Sequence, residues 1–87
     1  MSRIDKLVER CRRQPPPNDI KWVQLVSLMQ HFGFTAECSS GSHYTFQHGN
    51  GLTVMIPKPH PDPDVKPRYI KRAIEALENV GAIEGRT

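Results

Sequence analysis

The stretch SHYTFQHGNGLTVMIP, residues 42–57, decides the fold. Polar and apolar side chains alternate on either side of its centre, which is the period of half-buried β-strands. The central run GNG (49–51) contains the Asn-Gly pair that is favoured in tight hairpins. The stretch therefore predicts an antiparallel hairpin with strands over Ser42–His48 and Leu52–Ile56, and Pro57 closes the second strand.

The segment before the hairpin predicts a helix and a third strand. Phe34–Cys38 is a short strand candidate, and the cluster SSG (39–41) is typical of a turn. Asn18 or Asp19 is a candidate cap for a helix that ends at Gly33. The apolar stripe of this helix consists of Trp22, Leu25, Val26, Met29 and Phe32.

The segment after the hairpin predicts a loop and a last helix. Residues 57–67 contain five prolines and are typical of an ordered but non-regular loop. Pro67 suits the first turn of a helix that ends at Gly81. The apolar stripe of this helix consists of Ile70, Ala73, Ile74 and Leu77.

The N-terminal segment predicts one more helix, over Ser2–Arg13. Its apolar residues recur at helical spacing, at Ile4, Leu7, Val8 and Cys11. Three consecutive prolines, residues 15–17, end it because proline cannot continue the backbone hydrogen-bond ladder. We therefore divide the chain into an N-terminal helical extension with a Pro-rich link, residues 1–17, and one globular unit, residues 18–87.

The predicted order of elements is helix, helix, strand, strand, strand, helix. A three-stranded antiparallel sheet packed by helices on one face gives an α+β domain with an extra N-terminal helix. From the second helix onward, the order αβββα is that of the double-stranded-RNA-binding fold. The length of 87 residues suits a single domain with a modest core.

Composition and charge narrow the class of protein. The net charge of +3 is mildly basic, and no apolar run approaches the roughly 20 residues that span a bilayer. The charged N-terminal segment lacks the apolar stretch of a secretory signal, so we expect a cytoplasmic protein that does not contact membranes. Two cysteines do not form a disulfide framework. We expect Cys11 to pack on a helix face and Cys38 to be partly exposed.

His43 is the candidate catalytic residue. Alternation places it on the strand face opposite Tyr44 and Phe46, away from the core, and just after a glycine-containing turn. An imidazole changes its protonation state near neutral pH, so it can act as acid or base when RNA is cleaved through its own 2′-hydroxyl. That route requires neither a metal nor a cofactor. The same position equally suits a solvated histidine without a chemical role.

An ordered series of short motifs resembles the HicA toxin family. The series is GSHYTF (41–46), VMIP (54–57), His60, and VKPRYI (65–70). The family has Gly-Ser-His at the start of a strand, a strand that ends in Pro with a His nearby, a basic loop and a C-terminal helix. The resemblance spans roughly residues 22–83.

This resemblance implies a small endoribonuclease that cleaves messenger RNA and is neutralised by an antitoxin of the HicB type. It implies that His43 is the catalytic histidine. Two features depart from the family pattern. Pro59 is an extra residue between Pro57 and His60, and the N-terminal helix has no counterpart in the shortest family members.

The remaining polar candidates are consistent with both functional and structural roles. His60 is a candidate second acid–base group or phosphate contact, or else a loop residue between prolines. A basic group runs from the loop into the last helix, whose N-terminus favours phosphate. Its candidate RNA-binding residues are Lys58, Lys66, Arg68 and Lys71. The alternative for this group is a solvated helix face.

Two further alternatives remain open. Cys38, His43, His48 and His60 are potential zinc ligands, but their spacing matches no compact zinc pattern, so we expect no metal, and we expect His48 at the surface. The main alternative to a ribonuclease is a non-catalytic RNA- or protein-binding module on the same fold. A third possibility is a scaffold whose basic surface chiefly meets an acidic partner protein.

Overall fold

A computed structural model describes residues 3–84 of the chain. Its elements are α1 (Arg3–Cys11), α2 (Trp22–His31), β1 (Phe34–Ser40), β2 (His43–His48), β3 (Thr53–Pro57) and α3 (Pro67–Asn79). This order confirms the predicted α+β fold, with αβββα from α2 onward. Ser2, the predicted first residue of the first helix, and residues 85–87 of the tail lie outside the described residues. Within residues 3–84, no helix has the length and apolar character needed to cross a membrane.

The three strands form one antiparallel sheet in the order β1-β2-β3. The predicted hairpin between β2 and β3 is confirmed. Its loop is a three-residue loop, because the His48 amide donates to the Leu52 carbonyl at 2.9 Å and the Gly51 amide donates to the His48 carbonyl at 2.9 Å. Gly51 takes the positive φ of +99° that such loops require at their last position.

β1 is longer than the sequence predicts. Ser39 and Ser40 were expected in a turn, but both belong to the strand, and the turn is confined to residues 41–42. The pairing of Ser40 with His43 and a hydrogen bond from the Ser39 hydroxyl to the His43 carbonyl, at 3.1 Å, hold this extension against β2. The ladder therefore continues to the point where β2 begins.

The N-terminus of α2 differs from the expected cap. Neither Asn18 nor Asp19 caps it, because the cap position is Lys21, whose amide donates to the Gln24 side-chain oxygen at 2.8 Å. Asp19 instead accepts a 2.7 Å hydrogen bond from the Arg10 guanidinium of α1. The Asp19 carboxylate thus links α1 to the segment that precedes α2.

The core lies between one face of the sheet and the helices α2 and α3. Trp22, at the start of α2, packs edge-on against Tyr44 and Phe46 of β2, with ring centroids 5.1 and 5.8 Å apart. Such a contact adds to the free energy of burying the indole. The outer sheet face carries His43, Thr45, Gln47, Thr53 and Met55. Met55 is 54% exposed there, so this face is open.

α1 packs against both α2 and α3. Leu7 and Cys11 are buried in the same core cluster as the residues of the other helices. The Arg12 guanidinium reaches the Glu78 carboxylate of α3 at 3.4 Å and also donates to the Glu84 carbonyl. Burial raises the pKa of the Cys11 thiol to about 11, although the neighbouring Arg10 charge opposes this shift. α1 is therefore part of the packed domain.

The free edge of β3 is covered at one point. The pairing of Met55 with Thr45 falls between hydrogen-bonded positions of the ladder, so the Met55 carbonyl points away from β2. The Arg72 guanidinium of α3 donates to this carbonyl at 2.8 Å. The hydrogen bond ties α3 to the sheet edge.

Candidate active site and basic pocket

His43 begins β2 on the open face of the sheet and is exposed, as predicted. It pairs with Pro57, the last residue of β3, at a position that forms no ladder hydrogen bonds. Paired side chains approach each other most closely at such positions. Because the Pro57 nitrogen faces away from β2, its missing N–H does not interrupt the ladder. His43 therefore lies at the end of the sheet where the proline-rich loop begins.

The His43 imidazole contacts the end of β1, across the turn that precedes it. Its Nδ1 lies 3.3 Å from the Ser40 carbonyl, which can only accept a hydrogen bond. In the neutral ring this contact favours a proton on Nδ1 and leaves Nε2 as the nitrogen able to take up another proton. An exposed ring with one basic nitrogen and an orienting carbonyl suits general acid–base chemistry.

The loop over residues 57–67 is fixed at both ends by backbone hydrogen bonds. At its start the Lys58 amide donates to the Ser42 carbonyl at 2.7 Å, directly beside His43. At its end the Val65 amide donates to the Ile20 carbonyl at 2.8 Å, and the Val65 side chain is buried in the core. The prediction of an ordered, non-regular loop is confirmed.

Three of the four predicted RNA-binding residues and His60 line one shallow pocket. Its volume is about 200 Å³, and its lining consists of Pro57, Lys58, Pro59, His60, Val65, Lys66, Arg68 and Tyr69. We call this the loop pocket. It lies beside the N-terminus of α3, where Pro67 occupies the first turn and the helix dipole favours an anion. The loop pocket therefore combines cationic side chains with a helix end, which suits a phosphate.

Tyr69 is a member of the loop pocket that the sequence interpretation missed. Two guanidinium groups lie over its half-buried ring, with Arg68 at 4.9 Å and Arg72 at 5.1 Å from the ring centroid. Tyr69 and Arg72 are three residues apart on a helix, a spacing that predicts contact between their side chains. The Arg-Tyr pair at the helix start was the available signal for an aromatic group beside the cations.

Lys71 is separated from the other predicted RNA-binding residues. It lines a different pocket, shared with Cys11 of α1, with the following Arg12, and with the carboxylates of Glu75 and Glu78. This pocket carries charges of both signs, whereas the charged residues that line the loop pocket, Lys58, Lys66 and Arg68, are all cations. The basic group of the sequence is therefore divided between two surfaces.

His43 and His60 occupy the same end of the domain without direct contact. In the part of the chain that the structure describes, no hydrogen bond joins the two rings. His60 is exposed in the loop, while His43 is on the open sheet face. Both are connected to the Pro57–Lys58 segment, which pairs with β2 at one end and lines the loop pocket at the other.

Comparison with known families identifies the family of this chain. The model of the family described as HicA toxin of bacterial toxin-antitoxin matches residues 22–84. The chain belongs to the HicA toxin family. A search of curated proteins and a search of solved structures found no significant match.

The HicA match covers every helix and strand of the structure except α1. The matched range begins at Trp22, the first residue of α2, and includes the hairpin, the loop pocket and all of α3. α1 and the proline-rich link precede the match. The HicA domain of this toxin therefore carries an additional helix on its surface.

The potential zinc ligands of this HicA chain do not converge. His43 lies on the outer face of β2, whereas His48 points to the inner face and is half-buried, so its predicted surface position is only partly correct. The His48 ring packs against Phe34 with centroids 5.0 Å apart. Cys38 is exposed, and its thiol faces the Gly41 carbonyl at 3.2 Å. Among the described residues, no group of three or more His, Cys, Asp or Glu side chains could hold a metal ion.

Proposed function

We propose that this HicA toxin is an endoribonuclease that cleaves messenger RNA by acid–base catalysis, with His43 as a catalytic residue. The observation that carries the proposal is the position of His43 in the family-matched region, exposed beside Lys58, which lines the loop pocket together with Lys66 and Arg68. The Nδ1 contact with the Ser40 carbonyl leaves Nε2 free for proton transfer. An RNA strand held at the loop thus presents its backbone near a basic nitrogen.

The proposed reaction uses the nucleophile that RNA itself supplies. His43 Nε2 takes the proton of a 2′-hydroxyl, and the 2′-oxygen attacks the adjacent phosphorus. The bond from phosphorus to the 5′-oxygen breaks, and that oxygen takes a proton from a second donor. The products are a 2′,3′-cyclic phosphate and a 5′-hydroxyl. Proton transfer by one positioned side chain contributes about 10²–10⁴-fold to the rate, and His60 is the candidate second donor.

The loop pocket is the proposed binding site for the RNA backbone. Lys58, Lys66 and Arg68 provide the positive charge, and the N-terminus of α3 adds its dipole. Tyr69 offers a ring for an unstacked base, which is how proteins commonly hold single-stranded RNA. These contacts position any sequence and favour a single strand over a duplex.

The proposed partner is an antitoxin of the HicB type that blocks cleavage. Family membership supports this partner, because the matched family consists of toxins from bacterial toxin–antitoxin pairs. An open His43 and a shallow, exposed loop pocket leave the chemistry unprotected in the free toxin. A protein that covers this end of the sheet would therefore silence the enzyme.

The test compares His43→Ala with His31→Ala, a matched change of an exposed histidine at the end of α2. We expect His43→Ala to lower the RNA cleavage rate by about 10²–10⁴-fold, as for the loss of a general acid or base. RNA affinity, measured by fluorescence anisotropy, should stay within about twofold, and His31→Ala should cleave normally. Mass spectrometry of the products should show 2′,3′-cyclic phosphate ends.

Two outcomes would contradict the proposal. Undiminished cleavage by His43→Ala would remove the catalytic role of this residue. Binding of RNA by the unchanged protein without any cleavage would instead favour the non-catalytic RNA-binding module. Growth arrest of cells that express the unchanged protein, compared with cells that express His43→Ala, separates a toxin from an inert binder.

A further inference from the structure

A groove between α1 and α2 shares no lining residue with the loop pocket, although one of its residues, Val23, also borders a surface cleft with Lys58 and His60. Its volume is about 420 Å³, and it is lined by Arg3, Ile4, Lys6, Leu7 and Arg10 of α1 and by Val23, Gln24 and Ser27 of α2. We call it the α1–α2 groove. Its α1 half precedes the family-matched region, so this surface is an addition to the HicA domain. The volume is in the range of sites that enclose small ligands or a few side chains.

The floor of the α1–α2 groove is apolar and incompletely covered. Leu7 is buried between the helices, and Ile4 one turn earlier is half-buried. On the α2 side, Val23 is 69% exposed. Lone exposed valines are common on protein surfaces, but this one continues the apolar surface formed by Ile4 and Leu7. An apolar side chain from another molecule would gain free energy by covering it.

The rim of the groove is positively charged. Arg3, Lys6 and Arg10 follow one another along the same side of α1. Asp19 partly neutralises Arg10 through their 2.7 Å ion pair. Among the described residues that line the groove, none is a carboxylate. The surface therefore combines an apolar floor with an excess of positive charge on one wall.

We propose that the α1–α2 groove docks an acidic, amphipathic segment of a partner protein. Apolar side chains of that segment would cover Ile4, Leu7 and Val23, and its carboxylates would face Lys6 and Arg3. Segments of this kind bind helical grooves through anchors at helical spacing. The proposal concerns a different surface from the proposed catalytic site and does not depend on RNA cleavage.

A protein segment fits the groove better than a nucleic acid does. Single-stranded nucleic acids are held by a basic track together with aromatic side chains on which bases stack. The lining contains no aromatic residue among the described residues, and its floor is aliphatic. The loop pocket, in contrast, has Tyr69 beside its cations. Charge complementarity with an apolar floor thus favours an acidic peptide here.

The test uses a fluorescent 16-residue peptide whose leucines recur at helical spacing and whose other positions are glutamate and alanine. Anisotropy is measured with the full chain. We expect saturable binding that Lys6→Glu and Val23→Asp each weaken about tenfold or more, since each removes one contact of roughly 1.4 kcal/mol. Matched controls are Lys71→Glu and Met55→Asp, which change an exposed lysine and an exposed methionine elsewhere and should leave peptide affinity unchanged.

Several outcomes would overturn the docking proposal. One is binding that does not saturate at about 1 mM peptide, a concentration that corresponds to a binding free energy of about 4 kcal/mol. Another is equal binding of a peptide with lysine in place of glutamate. If Lys6→Glu weakens binding of an RNA oligonucleotide or of anionic phospholipid vesicles instead, the occupant is not a protein segment. A dimer in sedimentation that Val23→Asp dissolves would assign the groove to a second copy. Lys6 and Val23 are exposed, so circular dichroism should show unchanged folding.

Discussion

The loop pocket and the α1–α2 groove are both cationic, but the residues beside their charges differ. In the loop pocket, Lys58, Lys66 and Arg68 accompany His60 and the ring of Tyr69. In the groove, the cations of α1 border aliphatic side chains. Net positive charge attracts both nucleic acids and acidic proteins. The neighbouring groups, aromatic and ionisable in one case and aliphatic in the other, distinguish the two kinds of ligand.

The two regions also differ in how the fold supports them. The loop pocket depends on backbone hydrogen bonds that fix residues 57–67 to the sheet and to the segment before α2. The groove depends on side chains that pack α1 against α2. Val23 borders the groove and also a surface cleft with Lys58 and His60. Substitutions can therefore affect one region, the other, or both.

The largest expected effect comes from Trp22, which supports both regions. Trp22→Ala removes the ring that packs on Tyr44 and Phe46, and we expect the free energy of unfolding to fall by about 3–5 kcal/mol. Urea denaturation followed by far-ultraviolet circular dichroism measures this loss. Tryptophan fluorescence cannot follow unfolding of the variant, because Trp22 is the sole tryptophan of the sequence. The adjacent exposed residue provides the control, since Val23→Ala should change stability by less than about 0.5 kcal/mol. A loss below 1 kcal/mol for Trp22→Ala, against the expected range, would contradict the role of Trp22 in the core.

An intermediate effect concerns the groove side alone: the free energy of unfolding should depend on pH through the buried Cys11 thiol of α1. Burial raises the pKa of Cys11 from its ordinary 9.0 to about 11, so the folded protein holds this proton more tightly than the unfolded chain does. Its contribution to stability is therefore constant below about pH 9 and is lost by roughly 2–3 kcal/mol as the pH rises past 11. The difference in unfolding free energy between wild type and Cys11→Ala isolates this contribution. A pH-independent difference would show that the thiol is not desolvated.

The smallest expected effect concerns the salt dependence of RNA binding. With a His43→Ala background to prevent cleavage, Lys66→Ala should reduce the slope of log affinity against log salt by about 0.7, the value for one phosphate contact in single strands. Lys6→Ala, on the rim of the groove, should leave the slope unchanged. Titrations at salt concentrations between about 50 and 200 mM provide the slopes. Equal changes for the two variants would mean that RNA contacts both surfaces.

The sequence predicts most of the fold because its elements are short and clearly bounded. Alternation around GNG (49–51) specifies β2 and β3, and helical spacing specifies the helices. The predicted helix cap was wrong because the cap position is Lys21, and the Asp19 carboxylate pairs with Arg10 of α1 instead. The end of β1 was wrong because pairing with β2 extends a strand through serines that are typical of turns.

The candidate site was predictable in its parts but not in its arrangement. Alternation alone gives the exposed face of His43, and this orientation is confirmed. Position along α3 does not show that Lys71 faces α1 while Arg68 faces the loop, because that depends on how the helix is rotated against the sheet. The α1–α2 groove required the packing of two helices, which no local pattern specifies.

The hydrogen bond from Arg72 to the Met55 carbonyl has a consequence for how this protein associates with itself. An uncovered strand edge is a template on which another chain can add a strand and begin aggregation. The guanidinium occupies an acceptor that such an incoming strand would need at the centre of β3. Growth of the sheet by strand addition is thereby disfavoured on the β3 side. One side chain of α3 thus protects the centre of this edge from strand addition.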